Sequence, residues 1–247
     1  MTKILMIGNS FGQDSLRYLY GIYRAAGKDV KVVNLYIGGC SLYRHYRNML
    51  SEEKAYSYEI NGHVSGLFVS LKEALLSDEW THVVMQQCSP DSGDESSYHP
   101  YLEELYAYVK KLCPPAKVLL NKTWTFAHGI PRFGKTAFTC PEEMFPAITD
   151  CYNKAAECIG AYKLIPSGDA MYALYQIYGA DIYRDGFHAN KTFTRYMLGC
   201  VWYMTLTGKP VDGNTFRDFD GDIPEDVVLT VQRVATEAVK NAGYLKA

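Results

Sequence analysis

Short apolar runs that end in glycine or a polar residue alternate along the chain with stretches of helical spacing. Lys3–Gly8 (KILMIG) reads as a buried strand closed by glycine. Asp14–Gly27 carries apolar residues at helical spacing and stops at Gly27. Lys31–Ile37 is rich in β-branched residues and runs into Gly38-Gly39. Thr81–Gln86, Ala116–Asn121 and Ala161–Pro166 predict three further strands, the second of these after the break at Cys113-Pro114-Pro115. Helices are expected over Val64–Leu76, Pro100–Leu112, Glu142–Ile159, Thr192–Thr207 and Pro224–Ala242.

A β-α-β alternation implies a mostly parallel sheet with both faces covered. Right-handed crossovers then favour a doubly wound topology. The expected fold class is α/β: a three-layer α/β/α sandwich around a five-stranded parallel sheet in flavodoxin-like order. Two segments exceed a minimal alternation. Residues 41–63 are long and polar and contain Asn61-Gly62, a pair suited to turning a hairpin. Residues 126–141 are aromatic and punctuated by Gly and Pro, and they follow the fourth strand. No linker-like composition shift divides the chain, so both read as insertions into a single domain over 1–247.

The 247 residues are 48% hydrophobic and 21% charged, which excludes wholesale disorder. The 25 Lys plus Arg against 27 Asp plus Glu give a net charge of −2. There is thus no broad basic field for a nucleic-acid partner. Ile4–Ile7 is too short for a signal-peptide core, and the charge-free stretch between Arg195 and Lys209 is too short to span a bilayer. The expectation is a cytoplasmic protein with no membrane partner. Seven cysteines, an odd number without C-x-x-C spacing, read as reduced and mostly buried thiols. The histidines show no H-x-x-x-H or H-E-x-x-H spacing, so no metal is expected. Neither is an organic cofactor, since Gly8–Gly12 lacks both the P-loop lysine and a G-x-G-x-x-G. Tyr, Phe and Trp make up 14% of the chain, a composition suited to clefts for sugars and equally to helix faces at a core edge.

Open parallel sheets bind ligands outside the carboxyl ends of their strands. Asn9-Ser10 follows the first strand, Gly39 the second, Gln86-Gln87 the third and Trp124 the fourth; Asp185-Gly186-Phe187-His188 precedes the helix over Thr192–Thr207. Each has an ordinary structural reading when taken alone. Ser10 reads as a helix cap or part of a phosphate cradle, Gly39 as a turn, Trp124 as core. Asp185 and His188, three apart on a tight loop, have the spacing at which a carboxylate orients an imidazole.

Together these positions resemble the SGNH, or GDSL-type, hydrolase superfamily, whose first block Gly-Asp-Ser is matched by Gly8-Asn9-Ser10. The second-block glycine matches Gly39, and the final Asp-x-x-His block matches Asp185–His188. The likeness runs from Lys3 to about Thr207 and is greatest to bacterial SGNH-like proteins with Gly-Asn-Ser-Phe and Gly-Gly-Cys-Ser-Leu segments. The resemblance implies the SGNH fold and a serine esterase acting on small acyl esters, acetyl above all, of a small-molecule or carbohydrate alcohol. It implies Ser10 as nucleophile, His188 as general base and acid, and Asp185 as orienting carboxylate. The backbone N–H groups of Ser10 and Gly39 would hold the oxyanion. The family's third-block Asn has no counterpart here. Gln87, in a Gln87-Cys88-Ser89-Pro90-Asp91 stretch similar to the Gln-Gly-Glu-Ser-Asp of some carbohydrate acetylesterases, is assigned its oxyanion role. Asn9, Gln86 and Trp124 are assigned to substrate binding. The alternatives are a catalytically silent carbohydrate-binding relative and a flavodoxin-like phosphate or nucleotide binder.

Overall fold

The computed structural model describes residues 1–245; residues 246 and 247, the end of the expected 1–247 domain, lie outside the described residues. The apolar runs form strands because they are buried on both sides: Ile4, Leu5, Met6 and Ile7 of β1 (Thr2–Gly8) are at most 1% exposed. On one side β1 pairs in parallel with β2 (Val30–Tyr36). On the other it is followed in parallel by β5 (His82–Met85), β6 (Lys117–Asn121) and β7 (Leu164–Ile165). These five strands carry the doubly wound order expected from the alternation.

The sheet nevertheless has seven strands: with β3 (Tyr56–Ile60) and β4 (His63–Val69) the order is β4-β3-β2-β1-β5-β6-β7. The two additional strands come from the first insertion and the residues after it. That insertion begins with α3 (Leu42–Ser51), capped by the Ser41 side chain. It continues into an antiparallel hairpin of β3 and β4, seated on the free edge of β2. Asn61 and Gly62 turn the hairpin with φ of 52° and 85°, both left-handed, as a two-residue turn that matches strand twist requires. The helix expected over Val64–Leu76 is therefore β4 followed by the short α4 (Leu71–Leu76).

Helices α1 (Ser10–Leu16) and α2 (Leu19–Ala25) replace the single helix expected over Asp14–Gly27. They pack against α8 (Phe193–Thr207), which in turn packs on α9 (Glu225–Asn241) and on α7 (Ser167–Tyr178), a helix absent from the sequence reading. Helices α3 and α4 gather on α5 (Tyr101–Leu112), while α6 (Pro141–Cys158) rests on β6 and β7. The result is an α/β/α sandwich. Among the described residues no helix is long and apolar enough to cross a membrane. The cysteines are free, five of them buried.

Candidate active site

Strand β1 delivers its last residues to the carboxyl edge of the sheet. Asn9 leaves the strand in an extended conformation, and its Oδ1 accepts from the Phe11 N–H at 3.0 Å, which makes Asn9 the cap of α1. Capping thus falls to Asn9, and the hydroxyl of Ser10, the first residue of the helix, is left for another partner. That partner is His188, whose Nε2 lies 2.8 Å from Ser10 Oγ. The His188 Nδ1 lies 2.6 Å from Asp185 Oδ2, and Asp185 Oδ1 accepts from the His188 N–H at 2.8 Å. Partial burial pushes the Asp185 carboxyl up. Hydrogen bonds from the His188 side chain, the His188 N–H and the Phe187 N–H outweigh this and hold it below the ordinary carboxylate range. The carboxylate is thereby kept ionised against the imidazole. A hydroxyl, an imidazole and a carboxylate in sequential contact can move a proton from the hydroxyl to Nε2 as the oxygen attacks a carbonyl.

The loop carrying Asp185 and His188 is braced from beneath by a residue that sequence reasoning missed. Asp14 is fully buried; it accepts from Arg184 Nη1 at 2.8 Å, from Arg195 Nε at 2.9 Å and from the Ala189 N–H at 3.1 Å. An anion with two guanidiniums and a backbone amide satisfies the demand that a buried charge be fully paired. The loop closes on itself through Arg184 N–H to His188 O at 3.0 Å. Its other flank is the segment after β6: the Ala127 N–H of the second insertion donates to Gly186 O at 2.7 Å, and Trp124 Nε1, just before that insertion, donates to Phe187 O at 2.8 Å.

Several residues assigned to substrate from the sequence have other work. Trp124 is fully buried and stacks on Phe11 with ring centroids 3.9 Å apart, so its side chain buttresses the loop that carries Asp185 and His188. Asn9 and Gln86 are also buried. Gln86 Nε2 donates to Asn9 Oδ1 at 2.7 Å, and Asn9 Nδ2 donates to Cys40 O at 3.0 Å. Asn121 Nδ2 donates to Gln86 Oε1 at 2.8 Å, and Asn121 Oδ1 accepts from Ser167 Oγ at 2.7 Å. This chain of amides ties the turn that presents Ser10 to β5, β6 and α7. Gln87 is corrected most sharply. Its Oε1 accepts from the Leu42 and Cys88 N–H groups, and its Nε2 donates to both the carbonyl and the hydroxyl of Ser97. With both amide hydrogens taken, Gln87 has no donor to offer an oxyanion. Gly39, by contrast, is exposed at the tip of the turn after β2, with a φ of 62° and open space where a side chain would lie. Among the described residues no acceptor takes the N–H of Gly39 or of Ser10.

His128 bonds Glu142 at 3.0 Å on the outside of the second insertion. One trio could ligate a metal: His99, Glu103 and Cys158 bring their donor atoms within 4.8 Å of one another, and it includes none of the site residues.

The solved structures similar to this chain include esterases of low sequence identity. One is the psychrotrophic esterase EstA from a Pseudoalteromonas species, 16% identical with a TM-score of 0.56 over 83% of this chain and 97% of that one. Another is a carbohydrate esterase family 3 protein from Talaromyces cellulolyticus, 12% identical with a TM-score of 0.54 over 83% and 96%. At such identities the likeness is one of fold, and the fold is that of the SGNH hydrolases, as in a putative SGNH hydrolase from Slackia heliotrinireducens, 20% identical with a TM-score of 0.58 over 83% of this chain and 98% of that one. No curated protein matches the sequence. Much greater is the similarity to a DUF4886 family protein from Bacteroides uniformis, 31% identical with a TM-score of 0.90 over 99% of this chain and 97% of that one. The family described as Domain of unknown function (DUF4886) matches residues 3–242. The chain belongs to the DUF4886 family, with the architecture of an SGNH hydrolase.

Proposed function

We propose that the protein is a serine esterase that hydrolyses small acyl esters, acetyl above all, with an alcohol of the carbohydrate kind. The observation that carries the reading is the relay Ser10 Oγ to His188 Nε2 at 2.8 Å and His188 Nδ1 to Asp185 Oδ2 at 2.6 Å, at the carboxyl edge of the sheet. Ser10 Oγ attacks the ester carbonyl as its proton passes to His188 Nε2. The tetrahedral oxyanion is held by the N–H groups of Ser10 and Gly39. The C–O bond to the alcohol then breaks, and His188 returns the proton to the departing oxygen, which leaves an acyl-Ser10. Water attacks that ester with His188 again as base, releasing the acid and free Ser10. Asp185 stabilises the imidazolium throughout. The choice of a carbohydrate alcohol is supported by the aromatic-rich composition and by the fold shared with a carbohydrate esterase.

Hydrolysis of p-nitrophenyl acetate, butyrate and octanoate by the wild type, Ser10→Ala and His188→Ala tests this reading. Each substitution is expected to lower kcat by about a thousandfold or more, and activity is expected to fall with acyl length. Near-normal turnover in either variant would remove the mechanism. Loss of nothing because the wild type is itself inert would leave the fold to a carbohydrate-binding role.

A further inference from the structure

Arg132 is out of keeping with the other arginines of the chain. Those whose side chains are mostly withdrawn from solvent each meet a carboxylate: Arg17 meets Asp220, while Arg184 and Arg195 both meet Asp14. Arg44 and Arg47, which have no such partner, are exposed to water. Arg132 is half-buried, and among the described residues no carboxylate pairs with it. Its Nε is shut off from solvent and has no hydrogen-bond partner. Its Nη2 reaches Ser89 Oγ only at 3.5 Å, the outer limit of a hydrogen bond. Its Nη1 meets no acceptor among the described residues and is not shut off from solvent, so the Nη edge is the part of this poorly satisfied guanidinium that an anion could complete.

Its position relates it to the candidate catalytic residues. The guanidinium carbon lies 3.9 Å from the centroid of the Phe187 ring, and that ring lies 4.0 Å from the His188 ring. Phe126 flanks it on another side at 5.5 Å. Arg132 is therefore held one aromatic ring away from the imidazole, on the wall formed by the second insertion. Burial lowers its pKa, while Asp185 acts on it through space without contact. Since Asp185 is committed to His188, that carboxylate is not the missing partner.

We infer that Arg132 binds an anionic group of the substrate, a carboxylate, sulfate or phosphate, carried by the ester that Ser10 attacks. The inference rests on the esterase reading and narrows it to acidic esters. A planar guanidinium gripped by rings would offer its Nη edge as a fork to two anionic oxygens.

Two matched pairs of esters test it: 4-acetoxybenzoate against its methyl ester, with the charge on the alcohol side, and monophenyl succinate against phenyl butyrate, with the charge on the acyl side. In the wild type, kcat/KM is expected to favour the anionic member of one pair by about tenfold or more, the size of one charge-assisted hydrogen bond. That ratio is expected to collapse towards one in Arg132→Ala and in Arg132→Gln, and to survive in part in Arg132→Lys. The pair that shows it tells which side of the ester carries the charge. No charge preference in either pair, or a preference kept in Arg132→Gln, would overturn the inference. A calorimetric titration of 4-acetoxybenzoate and of monophenyl succinate into Ser10→Ala protein, with and without Arg132→Gln, separates the two readings. If Ser10→Ala hydrolyses the esters like the wild type, the nucleophile is wrong. Titration of the corresponding acids, 4-hydroxybenzoate and succinate, then reads Arg132 without turnover, a loss of about tenfold in affinity supporting its role and equal affinities ending it.

Discussion

At the scale of single residues, the site depends on which polar group spends its hydrogen bonds on protein and which keeps them. Ser10 has its hydroxyl free for His188 because Asn9 does the capping. Gln87 sits at the expected strand end and yet is consumed by Leu42, Cys88 and Ser97. Its replacement tells the two possibilities apart. Gln87→Leu leaves the buried Leu42 and Cys88 N–H groups unpaired, which costs about 2–4 kcal/mol together. The expected result is a melting temperature lower by roughly 5–12 °C with kcat per folded molecule within a few-fold of wild type. A drop of a hundredfold or more in kcat at unchanged melting temperature would mean that Gln87 serves the oxyanion after all. That Ser10, His188 and Asp185 meet was legible in the sequence because each sits on a short motif after a strand or before a helix. Arg132 and Asp14 were not legible. Their meaning lies in who fails to pair with one and who converges on the other, and those partners come from distant segments.

Among the elements, the parallel strands were readable because burial on both faces leaves unbroken apolar runs. Strand β4 was misread for a definite reason. Val64, Leu67, Phe68, Leu71 and Leu75 fall at i, i+3, i+4, i+7 and i+11, the spacing of an amphipathic helix. The Asn61-Gly62 turn and pairing with β3 override that pattern, so Val64, Leu67 and Phe68 end up exposed on an edge strand. Helix α7 was passed over although Met171, Leu174 and Tyr178 recur at helical spacing. The turn makes a sharp prediction. A Cβ on Gly62 would stand 2.4 Å from the Arg17 carbonyl oxygen, at a φ of 85°. Gly62→Ala should therefore cost at least about 1–3 kcal/mol, read as a lower denaturant midpoint, whereas an equal or higher midpoint would contradict the turn.

For the molecule as a whole, two histidines, His45 buried and His82 half-buried, shape the response to acid. Burial holds His45 down to about 3, and burial with the nearby Lys117 and Lys163 holds His82 down to about 4, against 6.5 when free. Between about pH 6.5 and pH 4 the unfolded chain therefore takes up protons that the native protein refuses, so stability falls as the pH drops through that window. The melting temperature is expected to decline across it, and His82→Asn is expected to flatten part of the slope. A melting temperature that stays level down to pH 4, or an unchanged slope in that variant, would count against imidazoles held neutral in the fold.

Ser10 and His188 stand 178 residues apart in the chain and 2.8 Å apart in space. During synthesis Ser10 leaves the ribosome 178 residues ahead of His188, the residue that would activate it. Until strands from both halves have docked, the serine is an ordinary hydroxyl. Contacts of such long range are among the slow ones to close during folding. Recovery of Ser10-dependent turnover after dilution from denaturant should then follow the last phase of refolding and lag behind the return of helical circular dichroism, so the site would act as a clock for completion of the fold and would be silent in any partly made chain.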